Sequence, residues 1–154
     1  MKFKRLIGGV FGAALLLAVG LSFLNDHLTA NRLSVQFNSI PQTKITSIQV
    51  DEYQHHEYDQ SGDPINKSHL FTVTDELEIE SFSKLVMTNQ FTHWNHFSII
   101  DTYRLSIFTS KGLFEYEGRR TGERRDDLWV KFSGNEGTYV ANLYNWIAHE
   151  SGRR

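Results

Sequence analysis

Residues 103–117 read YRLSIFTSKGLFEYE, and this stretch decides the fold. Apolar and polar residues alternate over Tyr103–Phe108, Ser110–Gly112 carries a tight-turn signal, and alternation resumes over Leu113–Glu117. Period-two alternation on both sides of a short turn is typical of an antiparallel β-hairpin. The pattern therefore predicts two paired strands here.

Strand patterns continue on both sides of this hairpin. A turn centred on Thr121-Gly122 leads to alternation over Leu128–Phe132, which completes a three-strand meander. Upstream, alternation begins at Leu33–Phe37 and resumes after Pro41 over Lys44–Tyr53. A further strand is expected at Leu70–Val73.

Two amphipathic helices are predicted. Thr74 or Asp75 can cap the first, whose apolar residues Ile79, Phe82, Leu85 and Val86 share one side. We expect the second, capped by Thr138, to close the domain with Val140, Leu143, Tyr144 and Ile147 on one side. Trp146 lies off that stripe, so we expect it to be exposed.

These elements predict an α+β fold. The expected order is β-β-α-β-β-β-α, an antiparallel sheet of about five strands with two helices packed on one face. We divide the chain into a cytoplasmic basic stub (1–5), a transmembrane signal-anchor (6–24), a tether (25–32), an extracytoplasmic domain (33–150) and a polar tail (151–154).

The N-terminal segment predicts the location. Leu6–Leu24 is free of charge and proline, and as a helix it would span roughly 28 Å, about the hydrocarbon thickness of a bilayer. Basic residues precede it, so the positive-inside rule places the N-terminus inside and the following domain outside. Ala18-Val19-Gly20 could instead be a signal-peptidase site, which would release a periplasmic or secreted protein.

Composition excludes several classes of function. The chain has a net charge of −2, and three of its sixteen basic residues precede Leu6, so the remainder is more acidic than the total. A nucleic-acid-binding protein should be clearly basic. Cysteine is absent, which excludes disulfides, cysteine catalysis and thiolate metal sites.

The histidines offer a hypothesis of metal binding. His55 and His56 are adjacent, and His93 and His96 lie three residues apart. Imidazole binds first-row metals well, but neither pair has the i, i+4 spacing of a metalloprotease helix. Solvated surface histidines are the alternative interpretation, and no cofactor is expected.

Four arginines offer a binding hypothesis. Arg119, Arg120, Arg124 and Arg125 surround the turn at Thr121-Gly122 and could bind phosphate, a lipid headgroup or an acidic partner, with Trp94 as a possible neighbour. The alternative is a solvated turn neutralised by nearby acids.

Catalytic signatures are weak. Glu115 and Glu117 share one side of a strand, where alternation predicts a solvent-facing pair with Phe114 and Tyr116 on the core side. No nucleophile elbow or phosphate loop is present in the sequence. The sequence therefore favours a membrane-anchored, non-enzymatic module of the bacterial envelope that binds another envelope protein or peptide. Metal binding and anionic lipid or polyanion binding are the two alternatives.

Overall fold

The computed structural model describes residues 2–53, 67–87, 89–93 and 98–153, with the backbone alone for residues 2–14 and 90–93. A short 3₁₀ turn, Ile40–Gln42, follows the first helix. The helices and strands, in chain order, are α1 (Lys2–Ser39), β1 (Ile45–Tyr53), β2 (Ser68–Val73), α2 (Glu76–Val86), β3 (Asn89–His93), β4 (Ile99–Thr109), β5 (Gly112–Thr121), β6 (Leu128–Ser133), β7 (Glu136–Val140) and α3 (Leu143–Arg153).

The α+β class and the antiparallel sheet are confirmed. Over the described residues, seven strands form one sheet in the order β2-β1-β4-β5-β6-β7-β3, and every neighbouring pair is antiparallel. The predicted strand count and element order were wrong, because β3 and β7 were not foreseen. The central hairpin of β4 and β5 has the predicted turn, with Thr109 paired to Gly112.

Helix α1 is the largest departure from the predicted order. It continues through residues 25–32 and through Leu33–Phe37, where alternation favoured extended structure. Four apolar residues spaced three or four apart, Ala30, Leu33, Phe37 and Ile40, face the sheet, whereas Val35 is 70% exposed. Over so few residues, apolar residues at i and i+4 fit the side-chain period of a strand and that of a helix equally well. Packing on the sheet stabilises the helical conformation.

Helix α2 confirms the predicted cap and the predicted buried side. The Asp75 carboxylate accepts hydrogen bonds from the backbone N–H groups of Leu77 and Glu78, which satisfies two of the free donors at the helix start. Phe82 and Val86 are fully buried on the predicted side.

The closing helix begins later than predicted. Residues 136–140 form β7, so Thr138 is a strand residue and not a cap, and α3 starts at Leu143. Trp146 was expected to be exposed, but it is buried, with its ring centroid 5.3 Å from Phe82 and 5.8 Å from Phe71.

The helices cover one face of the sheet, which we call the helix face. Residues of all three described helices join a single apolar cluster with the inward side chains of the sheet, including Ile48, Val50, Leu105, Ile107, Tyr116, Val130 and Phe132. The second face carries the alternate residues, among them Asp51 and Trp129, which are also buried.

Polar contacts fasten α1 to the hairpin between β6 and β7. The Ser133 hydroxyl donates to the Asp26 carboxylate, and His27 Nδ1 lies 2.9 Å from Glu136 Oε1. Gly134 has φ +50°, and a Cβ there would lie 1.8 Å from the Asp26 carboxylate. We call these five residues the α1 clamp.

The predicted anchor, residues 6–24, lies within α1. The structure describes its side chains only from Leu15 onward. Among the described residues, no helix is both long enough and apolar enough to traverse a bilayer. The side chains of residues 6–14, within the predicted anchor, lie outside the described part of the chain.

Candidate functional site

The arginines do not form one exposed loop. Arg119 and Arg120 lie within β5, and Arg124 and Arg125 lie in the connection to β6. Because neighbouring residues of a strand point to opposite faces, Arg119 and Arg120 are on different sides of the sheet. Their predicted common role in binding a polyanion stays a prediction.

Arg119 packs on the second face of the sheet. Its Nε donates to Glu117 Oε1, and its guanidinium carbon lies 5.8 Å from the ring centroid of Trp129. Trp129 is opposite Arg119 on β6 and is fully buried. This arginine is therefore already engaged with a carboxylate and an aromatic ring.

Arg120 packs on the helix face. Its Nη1 lies 2.9 Å from Asp101 Oδ2, and its guanidinium carbon lies 4.0 Å above the ring of Tyr144 on α3. The hydrogen bond with Asp101 raises the pKa of Arg120 above its ordinary value. The residue thus joins β4, β5 and α3 and acts as a structural cation.

The remaining two arginines are more accessible. Arg124 stacks over Tyr139 at 4.6 Å and lies 3.8 Å from Asp127, while Arg125 is exposed. These two side chains are exposed, whereas those of Arg119 and Arg120 are half-buried.

Most of the histidines proposed as metal ligands lie outside the described residues. His55, His56, His96 and Trp94 lie there, and His93 is described by its backbone alone, in β3. Within the described part of the chain, no three His, Cys, Asp or Glu residues are grouped to hold a metal ion. The metal role of the four histidines stays a prediction.

A buried carboxylate on the second face forms a polar cluster that was not predicted. Asp51 is fully buried and lies 2.6 Å from Lys67 Nζ and 2.9 Å from His69 Nδ1, while Gln49 Nε2 donates to it at 3.0 Å. Burial alone would raise the pKa of Asp51, but the hydrogen bonds from Lys67, His69 and Gln49 outweigh it and lower that pKa. We call these four residues the Asp51 cluster.

A β-bulge produces this arrangement. Val50 pairs with Phe71 but Asp51 pairs with His69, so Leu70 has no partner in the ladder between β1 and β2. An extra residue reverses the side to which the following side chains point. The bulge therefore places His69 beside Asp51.

The side chains of Asp51, His69 and Thr72 follow one another as in a catalytic triad, but their surroundings differ from those of a catalytic site. The Thr72 hydroxyl lies 3.3 Å from His69 Nε2, which completes a carboxylate–imidazole–hydroxyl series. However, Lys67 and Gln49 also hold the carboxylate, and the group lies on an outer strand of the sheet. We interpret it as an ionic fastening of β2 to β1.

An open groove lies in a split between β5 and β6. The two strands pair only over Glu117–Arg119 and Trp129–Lys131, although β5 begins five residues earlier, at Gly112. A groove of about 350 Å³ occupies the split. It is lined by Leu33, Gln36, Leu113, Phe114, Glu115, Tyr116, Glu117, Lys131 and Phe132.

Among the described strands, the first half of β5 consequently has one free edge. Residues 112–116 pair with β4 on one side and with no strand on the other, within the described chain. Helix α1 packs mainly against β6 and β7, and its residues Leu33 and Gln36 roof the groove.

Strand alternation identifies the backbone groups that face the groove. The two-residue turn Ser110-Lys111 joins Thr109 to Gly112, and the hydrogen bond of such a turn makes this a bonded pair. Bonded pairs recur every second residue, so Phe114 and Tyr116 also bond to β4. Leu113 and Glu115 therefore direct their N–H and C=O groups into the groove.

The walls of the groove differ in polarity. Glu115 and Glu117 lie on the second face, as predicted, and the Glu115 carboxylate accepts a 3.3 Å hydrogen bond from Ser106. On the helix face, the Tyr116 ring contacts Phe37 edge-on, with centroids 4.9 Å apart. Burial raises the pKa of Tyr116 to about 12, so this wall is uncharged at neutral pH.

Sequence reasoning found the two glutamates but not the groove. The available signal was strand length, because β5 has ten residues and β6 has six, so part of β5 must extend beyond its neighbour. The roofing by α1 could not be inferred while Leu33–Phe37 was interpreted as extended chain. Comparison of the chain with models of protein families, with curated proteins and with solved structures finds no match in any of the three.

Proposed function

We propose that this protein is a non-enzymatic binding module of the bacterial envelope, which binds an extended peptide of a partner protein as an added strand on β5. The observation that carries the proposal is the edge of residues 112–116, which pairs with no strand of the described chain on its second side and borders an open groove. An added strand obtains affinity from main-chain hydrogen bonds and specificity from alternate side chains.

The groove suggests what such a peptide contains. Its side chains would alternate between the helix face, beside Leu33 and Phe114, and the second face, beside Glu115. Apolar residues suit the first position, and lysine or arginine suits the second because opposite charges on neighbouring strands attract. The four residues from Leu113 to Tyr116 span about 13 Å, enough for a short recognition segment.

The proposal places the domain outside the cytoplasmic membrane, held by residues 6–24. Apolar side chains of α1 that precede the α1 clamp support this location, since Leu16, Leu21 and Phe23 are each at least 65% exposed. Exposed apolar surface of this extent is costly in water and is expected of a segment that contacts lipid. Cleavage after Ala18-Val19-Gly20 would instead leave a free periplasmic module with the same groove.

A peptide titration tests the binding mode. The probe is a seven-residue peptide of alternating valine and lysine with a fluorescent label, added to the full chain in detergent while its anisotropy is measured. We expect saturable binding, and weaker binding of a valine–glutamate peptide of the same length.

The matched control is the same valine–lysine peptide with N-methylated amides on alternate residues. Methylation removes the strand's donors and retains its charge. Equal binding of the methylated and unmodified peptides would show that charge alone drives association and would reject strand addition.

A further inference from the structure

We propose that the segment received by β5 belongs to a second membrane protein in the same bilayer and lies directly next to that protein's membrane-spanning segment. This inference rests on the proposed function, and it specifies the partner that the groove can receive. Helix α1 is continuous from its exposed apolar part to the groove.

The exposed apolar part of α1 and its sheet-packed part are one helix. Residues 15–24 lie before the domain, and the helix continues without proline to Ser39. Two residues after Leu24, Asp26 already contacts Ser133, and His27 contacts Glu136. The α1 clamp therefore leaves no free linker at the point where the chain enters the domain.

Helix geometry then gives the height of the groove. Leu33 and Gln36, which roof it, lie nine and twelve residues after Leu24. At a rise of 1.5 Å per residue, the groove lies about 14 to 18 Å from the end of the apolar run along the helix axis. With residues 6–24 in the bilayer, β5 is held at a nearly fixed height above the membrane surface.

The fixed height of the groove above the membrane limits which partner segments can reach it. An extended chain covers about 3.3 Å per residue, so roughly five residues reach the groove from the membrane surface. A juxtamembrane segment of a neighbouring membrane protein is confined to this layer, and its effective concentration there is high. Basic residues just outside its membrane segment would lie beside Glu115.

The test changes the height and leaves the groove unchanged. Seven helix-forming residues inserted after Leu24 raise the domain by about 10 Å and, at 3.6 residues per turn, nearly restore its rotation. The control carries the same seven residues between Met1 and Lys2, before the apolar run. Both full-length proteins carry the photo-crosslinker Leu113→benzoylphenylalanine, at a position that is 50% exposed in the groove.

The measurement is the yield and position of crosslinks in native membranes. We expect the insertion after Leu24 to lower the yield by roughly an order of magnitude, because a segment of limited reach no longer spans the distance. The control should retain the yield, and the partner's crosslinked residues should lie within about ten residues of its own membrane segment.

Several results would overturn the inference. An unchanged yield after the insertion, crosslinks to a protein without a membrane segment, or no crosslink from the control would each do so. The valine–lysine titration in detergent separates this failure from that of the proposed function. If the peptide binds the inserted variant normally, only the membrane partner is rejected, whereas absent binding to the unmodified chain rejects strand addition itself.

Discussion

Replacing Phe37 with alanine tests whether the end of α1 belongs to the core of the domain. Phe37 is fully buried, and its ring lies 4.9 Å from that of Tyr116 and 5.6 Å from that of Phe132, measured between centroids. Deleting a buried phenylalanine ring costs about 3 to 5 kcal/mol, because transfer energy is lost and a cavity remains. A domain of this size has a free energy of unfolding of roughly 5 to 15 kcal/mol, so the loss should be large.

The assay is urea unfolding of the full chain in detergent, followed by tryptophan fluorescence. The matched control is Val35→Ala, two residues away on α1, where the side chain is 70% exposed and the loss should stay below about 0.5 kcal/mol. In an extended strand, residues 35 and 37 would point to the same side, and both substitutions would be costly. Similar losses at the two positions would therefore refute the helical packing of α1.

Two further substitutions test the sheet. Gly137→Ala would place a Cβ 2.3 Å from the Val130 carbonyl oxygen, so we expect it to lower the free energy of unfolding by about 1 to 3 kcal/mol in urea titrations. The control is Gly152→Ala, whose added Cβ would have nothing within 4 Å, and it should be neutral or slightly stabilising. Asp51→Asn should lower stability at pH 7 by about 1 to 3 kcal/mol, since it leaves the Lys67 ammonium group uncompensated. Because the pKa of Asp51 is below its ordinary value of 3.8 in the folded state, its ionised form stabilises the fold above that value, and this contribution disappears as pH falls through the lowered pKa. Thermal unfolding between pH 7 and pH 2 should show the variant and the natural protein converging in acid, and a constant gap would contradict this origin.

Local patterns predicted the elements whose neighbours are close in sequence. The turn at Ser110-Lys111 and the cap at Asp75 act within a few residues, so the β4–β5 hairpin and α2 were predictable. The α+β class followed from these elements together. They did not depend on packing between distant segments.

The remaining elements depend on distant contacts. Leu33 and Phe37 fit either period until the sheet is present, and Trp146 is buried because Phe71 and Phe82 come from other elements. Residues 136–140 form a strand because both β6 and β3 pair with them. The groove arises from the unequal lengths of β5 and β6 and from the path of α1, so it required the structure.

Proline substitution at Glu115 tests strand addition most directly. By the alternation of β5, the Glu115 N–H faces the groove and not β4, so a proline there removes one donor for the added strand and leaves the β4 ladder intact. Glu115→Gln is the matched control. Like the proline substitution it removes the charged carboxylate of Glu115, but it keeps the backbone N–H group.

The measurement is binding of the valine–lysine peptide to the two variants, with folding of each verified by circular dichroism. We predict that Glu115→Pro abolishes measurable binding, while Glu115→Gln retains it with reduced preference for lysine over glutamate. Equal affinities of the two folded variants would contradict the account, because the backbone edge of β5 would then not be the binding element.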